Sequence, residues 1–228
     1  MLSVIIPAKN EATRIGSTLE KLCSFLKKTK TNAEVIVVNN GTDPTPAVVR
    51  EKKKQYPFIR LLDFPKPLGK GHAVREGFKA AKGDAVVCDA DGSWSPEEIL
   101  KLTAALKDAE IAIGSRRLPE SRVYNLPLKR KLASTAFAAV VSLLFGLGIR
   151  DTQCGFKAIR RSAYKKMLPL LKVDLFEWDV ELLLVARQLG LRVAEIPITW
   201  HYKEGGTVSP GLATKMLSGV LALKKRFP

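Results

Sequence analysis

Through the first half of the chain, apolar residues fall in short runs. Each is followed by a polar turn and then a stretch with helical spacing. The runs at residues 2–6, 34–38, 59–63, 84–88 and 110–113 predict strands. The stretches at about 11–28, 45–55, 70–81 and 96–107 predict helices. Val35-Ile36-Val37-Val38 is continuously β-branched, as expected of a strand covered on both faces. Alternation of this length implies right-handed βαβ units and an α/β fold with a mostly parallel sheet flanked by helices. Ligands in such sheets bind beyond the carboxyl ends of the strands, so the residues after each run matter most.

The second half has a different pattern. Residues 132–149 carry no charged side chain and are flanked by Lys129-Arg130-Lys131 and Arg150. Eighteen residues is the lower limit for a membrane span. Ser134, Thr135, Ser142, Gly146 and Gly148 weaken that reading, and a helix lying in the membrane interface or packed on the protein is at least as well supported. Residues 212–227, with Leu212, Met216, Leu217, Val220, Leu221 and Leu223 before Lys224-Lys225-Arg226, form a second candidate surface helix.

Composition narrows the function. The 228 residues, 46% hydrophobic and 26% charged, predict one folded domain over 1–228, with residues 1–115 and 116–228 as its two halves. The formal charge is +16, and residues 111–172 carry 13 basic but only 2 acidic side chains. A basic surface of that kind suits nucleic acid, an anionic membrane or a phosphorylated substrate. Nucleic acid is disfavoured: no recognition signature is present and aromatics make up only 7%. Cys23, Cys88 and Cys154 are too few and too scattered for a disulfide scaffold, which points to a reducing compartment. Met1 runs directly into the first strand, so no leader is expected.

The sharpest chemical feature is Asp89-Ala90-Asp91, directly after the fourth strand. Two carboxylates at one strand end repel each other unless a cation joins them, and hard oxygen ligands suit Mg²⁺ or Mn²⁺. Its bland counterpart is a solvated turn, since Asp91-Gly92-Ser93 is good turn chemistry. Pro7-Ala8-Lys9-Asn10-Glu11 follows the first strand and Asn39-Asn40-Gly41-Thr42-Asp43 the second, each suited to a base or ribose. Gly69-Lys70-Gly71 opens a helix, where backbone can approach an anion closely.

Taken in order, S-V-I-I-P-A-K-N-E (3–11), G-K-G-H-A-V-R-E-G (69–77), D-A-D-G (89–92), G-S-R (114–116), D-T-Q-C-G-F-K (151–157), W-D-V-E-L-L (178–183) and E-I-P-I-T-W (195–200) resemble an inverting glycosyltransferase of family two with the GT-A fold. Within it the chain is similar to the polyprenyl-phosphate hexosyltransferases, nearest in motif to dolichyl-phosphate glucosyltransferase, with dolichyl-phosphate mannose synthase a near relative. Two departures stand out: Asn39-Asn40-Gly41-Thr42 replaces the usual Asp-Asp-Gly-Ser, and Gly205-Gly206-Thr207-Val208 replaces Gly-Ser-Lys-Val.

The resemblance implies transfer of a hexose from UDP-glucose, or alternatively GDP-mannose, to a polyprenyl phosphate at an anionic membrane surface. The enzyme would be cytoplasmic and peripheral on the inner face of the membrane. It implies Asp89 and Asp91 as metal ligands, and Pro7, Ala8, Asn10, Glu11, Asn40, Lys70, Asp89 and Ala90 around the nucleotide. Arg116, Arg130 and Ser134 would bind the acceptor phosphate, with Arg117 a possible substitute for Arg116. Trp178, Asp179 and Glu181 would lie near the sugar. Asp91, Arg116 and Arg130 would bear most on catalysis. A hydroxyl acceptor would instead need a base, for which Asp179 is the candidate.

Overall fold

The computed structural model describes residues 1–64, 66–205 and 210–227. Strands β1 (Leu2–Ala8), β2 (Ala33–Asn39), β3 (Ile59–Asp63), β4 (Asp84–Val87) and β5 (Ile111–Ser115) alternate with helices α1 (Ile15–Lys28), α2 (Thr45–Gln55), α3 (Lys70–Ala80) and α4 (Glu97–Ala105). Every element read from the first half is present. The largest shift is at α1, which starts at residue 15 rather than 11. Residues 9–14 are instead held against the second loop: Ala12 N–H donates to Asp43 (2.9 Å) and Glu11 N–H to Thr45 Oγ1 (2.9 Å).

The second half contributes β6 (Arg122–Tyr124), α5 (Leu128–Phe145), β7 (Lys157–Ile159), α6 (Arg161–Met167), α7 (Trp178–Gln188), β8 (Val193–Pro197), β9 (Thr199–His201) and α8 (Pro210–Arg226). The main sheet has the order β3-β2-β1-β4-β7-β5-β8. It is parallel except for β7, which runs antiparallel to both neighbours. That three-residue strand begins at Lys157, the last residue of the D-T-Q-C-G-F-K motif. It enters the centre of the sheet from the second half and delivers residues 151–157 to the edge where β4 and β5 end. Strands β6 and β9 form a separate parallel pair.

Alternation along β1 divides the core. Val4 and Ile6 face α1, α2 and α4 through Leu19, Leu22, Val49, Ile99 and Leu102. Ile5 faces the opposite layer, where Val74, Phe78, Tyr164 and Leu182 bring in α3, α6 and α7. A third cluster joins α5, α7 and α8 through Val141, Phe145, Val180, Leu184, Val220 and Leu223. Helix α5 buries Val141 and Phe145 in it, packs Phe137 and Leu144 against it, and ends at Gly146 in the left-handed conformation. Leu128, Leu132 and Leu143 stay exposed, the last at 88%. Among the described residues, no helix is long and apolar enough to cross a membrane.

Candidate active site

Asp89 and Asp91 sit half-buried just past β4. The turn is held from several sides. Trp94 Nε1 donates to the Asp89 carbonyl (2.8 Å), Thr18 Oγ1 to the Ala90 carbonyl (2.9 Å), and Ser93 N–H to Asp91 Oδ1 (2.9 Å). Gly155 lies against the Asp89 carboxylate so closely that a β-carbon there would be 2.5 Å from Oδ2. The two acids are not equivalent. Burial pushes Asp89 up, but Lys70, bonded to Oδ1 at 2.6 Å, together with Lys157 and Arg116, outweighs that and holds it below the usual carboxylate range. Asp91 is pushed up by burial and then by the charge of Asp89.

The first two loops are cross-braced beside this turn. Asn10, at φ 58°, accepts Thr42 N–H on its side-chain oxygen (2.9 Å). Glu11 is clasped by Arg14 at 2.7 and 2.8 Å; burial raises its pKa, Arg14 opposes, and Asp91 and Asp89 add to the rise. Pro7 and Ala8 end β1 beside Val38 and Asn39. The two amides that depart from the family pattern both act as donors: Asn39 to Asp63 (2.9 Å) and Asn40 to the Gly69 carbonyl (2.8 Å). A carboxylate could make neither bond. Of the other departure, Gly206, Thr207 and Val208 lie outside the described residues.

Across the crevice, Arg116 follows β5. Asp151, 1% exposed, takes its Nε and Nη2 as a pair at 2.8 and 2.9 Å and its backbone N–H at 3.0 Å. Its guanidinium also lies over the ring of Trp200 at 5.4 Å. Arg117 reaches α5, donating to the Ser134 carbonyl (2.8 Å), Ser134 Oγ (3.1 Å) and Thr135 Oγ1 (3.2 Å). Arg130, on α5, lies over the Tyr202 ring at 5.8 Å. The Arg116 charge helps to hold Asp89 low, and the Trp200 under Arg116 is bridged to Trp94 of the acid turn, so Arg116 and that turn are neighbours.

Helix α7 separates the three residues expected near the sugar. The ring of Trp178 has Lys157 at 5.2 Å and Lys70 at 6.0 Å, and its buried N–H has no hydrogen-bond partner among the described residues. Asp179 is buried and paired with Lys157, a fully buried cation that also donates to the Cys154 carbonyl. Burial raises Asp179; Lys157 and Lys70 pull it back. Glu181 is a correction. Two residues further on it points about 200° around the helix, away from Asp179. It accepts N–H from Lys172 (2.8 Å) and Val173 (2.9 Å) and pairs with Arg226, which commits it to structure.

The sequence placed Asp151, Lys157 and Trp200 only at the ends of matching motifs, with no role for any of them, and did not single out Tyr202. A signal existed for Lys157: a charge inside Phe156-Lys157-Ala158-Ile159, a run that otherwise reads as core.

Comparison with known proteins agrees with the motifs and the fold. Residues 3–168 match the description of glycosyl transferase family 2. The dolichyl-phosphate beta-glucosyltransferase of Drosophila melanogaster is 36% identical, over 92% of this chain and 69% of that protein. That of Saccharomyces cerevisiae is 32% identical, over 99% and 75%. Among solved structures, mannosyl-3-phosphoglycerate synthase of Rubrobacter xylanophilus superposes with a TM-score of 0.75 at 13% identity, over 99% of this chain and 74% of that one. Glucosyl-3-phosphoglycerate synthase of Mycobacterium tuberculosis, in complex with Mn²⁺, UDP and its product, gives 0.71 at 18%, over 100% and 81%. The fold is therefore that of the GT-A glycosyltransferases, and with its motifs matched in order over most of its length, the chain belongs to glycosyl transferase family 2.

Proposed function

We propose that this protein transfers glucose from UDP-glucose, with inversion, to the phosphate of a dolichyl or other polyprenyl lipid. The observation that carries the reading is the match, along nearly the whole chain, to relatives named for that reaction. The site supports it with chemistry of the right kind: acids at the end of β4 and guanidinium groups at the end of β5 and on α5.

A lipid-phosphate oxygen attacks the anomeric carbon as the bond from that carbon to the diphosphate breaks, and the nucleoside diphosphate leaves with the electron pair. The phosphate is ionised near neutral pH, with its second pKa at about 6, so no general base is needed. The difficulty is electrostatic, since two anions must meet while charge grows on the leaving group. Arg116, Arg130 and Ser134 receive the acceptor phosphate, and Arg117 holds Ser134 in place. Asp179, kept beside Lys157, accepts from sugar hydroxyls. Pro7, Ala8, Asn10, Glu11, Asn40, Lys70 and Ala90 line the nucleotide side.

Asp89 and Asp91 fit a divalent cation. Asp91 carries a raised pKa partly because a second carboxylate stands beside it, the situation a cation relieves. Among the described residues no third His, Cys, Asp or Glu joins them. That suits an ion such as Mg²⁺ or Mn²⁺, which takes its other ligands from phosphate and water. When bound, it supplies charge neutralisation for the departing diphosphate.

The exposed leucines of α5 and α8, with Lys129, Lys131, Lys215 and Lys225 around them, are the face toward an anionic membrane surface. We place the enzyme there as a peripheral protein on the cytoplasmic side. Transfer of label from UDP-glucose and, in parallel, GDP-mannose to dolichyl phosphate tests the reading. A lipid-soluble product from UDP-glucose is expected. Product from GDP-mannose alone would overturn the sugar, and product from neither would overturn the reaction.

A further inference from the structure

Both acceptor-side guanidinium groups rest on aromatic rings, and both rings come from one short stretch of chain. Trp200 and Tyr202 are two residues apart in extended backbone, so they share a face, with ring centroids 6.2 Å apart. Trp200 lies under Arg116 at 5.4 Å and Tyr202 under Arg130 at 5.8 Å. His201 points the other way and stacks on Tyr124 at 4.8 Å.

The same stretch is bolted to the acid turn. His201 N–H donates to the Ser93 carbonyl (2.8 Å), and Trp94 and Trp200 form a β-bridge. Ser93 and Trp94 are the residues that hold Asp91 and the Asp89 carbonyl. On the other side, Tyr202 N–H donates to the Tyr124 carbonyl (3.0 Å), tying β9 to β6.

We propose that β9, with Tyr202 directly after it, is the spacer that sets the distance between the donor and acceptor subsites, with Trp200 and Tyr202 as positioning residues for Arg116 and Arg130. The inference rests on the acceptor role given to those arginines above. An aromatic ring touches a guanidinium on its face, so it restricts where the group sits without itself using the N–H donors that lie in the guanidinium plane. A carboxylate partner consumes those N–H groups instead, as Asp151 does with two of Arg116's. Arginine side chains carry about 2 kcal/mol of rotamer entropy, so seating two of them beforehand favours phosphate binding.

The test is steady-state kinetics with labelled UDP-glucose and farnesyl phosphate in detergent, comparing wild type with Arg130→Ala, Tyr202→Leu, Tyr202→Phe, Trp200→Leu and Trp200→Phe. Each leucine variant is expected to raise the KM for farnesyl phosphate about three- to tenfold, as the loss of one cation–π contact implies. Each phenylalanine variant, which keeps a ring face, should stay within about twofold of wild type, as should every KM for UDP-glucose. Trp200 also packs on the core, so if its leucine variant fails to fold, the Tyr202 pair decides. An unchanged acceptor KM in Arg130→Ala would sink the acceptor-site reading, and this inference with it. A raised KM in Arg130→Ala, with Tyr202→Leu behaving as wild type or Tyr202→Phe as badly as Tyr202→Leu, would overturn the role of β9 alone.

Discussion

The crevice and the α5–α8 face are built on opposite plans. Around the acid turn, polar groups answer one another: Lys70 with Asp89, Lys157 with Asp179, Arg14 with Glu11, Arg116 with Asp151. The backbone there is braced by side chains from distant loops. Helices α5 and α8 share a small apolar cluster and leave Leu128, Leu132, Leu143, Leu217 and Leu221 exposed, beside lysines that have acidic partners nowhere nearby in sequence. A site that must tell one transition state from others needs groups fixed in place, because each fixed dipole costs no reorganisation when charge develops. A face that meets a fluid surface needs only area and charge. The contrast predicts that substitutions in the crevice cost catalysis or stability, whereas those on the outer face of α5 cost neither.

The largest effect is expected at Asp91. Asp91→Ala should lower kcat by about a thousandfold, the equivalent of several kcal/mol of lost charge stabilisation, with an unchanged circular dichroism spectrum. Near-normal turnover would remove Asp91 from the site. Next is Asp151→Asn, which leaves Arg116 without its counter-charge. Breaking a largely buried pair costs about 3 kcal/mol, the low end of the range because Arg116 keeps some exposure. Urea unfolding at pH 7 measures it.

The pH dependence of that difference has a definite sign. Burial pushes Asp151 up, but Arg116 outweighs it and holds the carboxyl below the ordinary range. The pair therefore stabilises above the unfolded pKa of about 3.9, and its contribution fades as pH falls through the lower, folded value. Wild type and Asp151→Asn should converge in stability as the solution is acidified. A constant gap would mean that the ion pair is not the source.

A third change probes the packing under the donor loops. A β-carbon on Gly77 would lie 2.3 Å from Ile5 Cγ2, so Gly77→Ala should destabilise by about 1–3 kcal/mol through overpacking, seen as a lower melting temperature. The smallest stability effect belongs to Leu143→Ser on α5, expected within about 0.5 kcal/mol of wild type because the side chain is exposed. The same variant should bind phosphatidylserine vesicles about ten- to a hundredfold more weakly, since an inserted leucine contributes about 1.5–3 kcal/mol. A stability loss as large as that of Gly77→Ala would show that α5 is packed as core and would end the contrast.

Much of this architecture was legible beforehand. Strands in the first half are local apolar runs, so the acid turn after β4 could be found by looking where a run stops. The second half resisted for physical reasons. Strand β7 is three residues long and pairs with β4 and β5, which precede it by many residues, so no local period announces it. The resemblance grouped Glu181 with Asp179 near the sugar, but they stand two residues apart on α7, and the turn of the helix sends the two to different environments. Arg116 and Arg117 are adjacent and alike, and only packing sends one to Asp151 and the other to Ser134.

The sequence by itself determined the layered α/β plan, the basic bias of residues 111–172 and the identity of the chemical groups, because each depends on local pattern or simple count. The tertiary structure alone decided which charge answers which, that Lys157 reaches Asp179 through a strand of reversed direction, and that one extended stretch seats two arginines. Coulomb interactions and ring contacts act through distance in space, and contacts between residues far apart in sequence exist only once the sheet has brought them together.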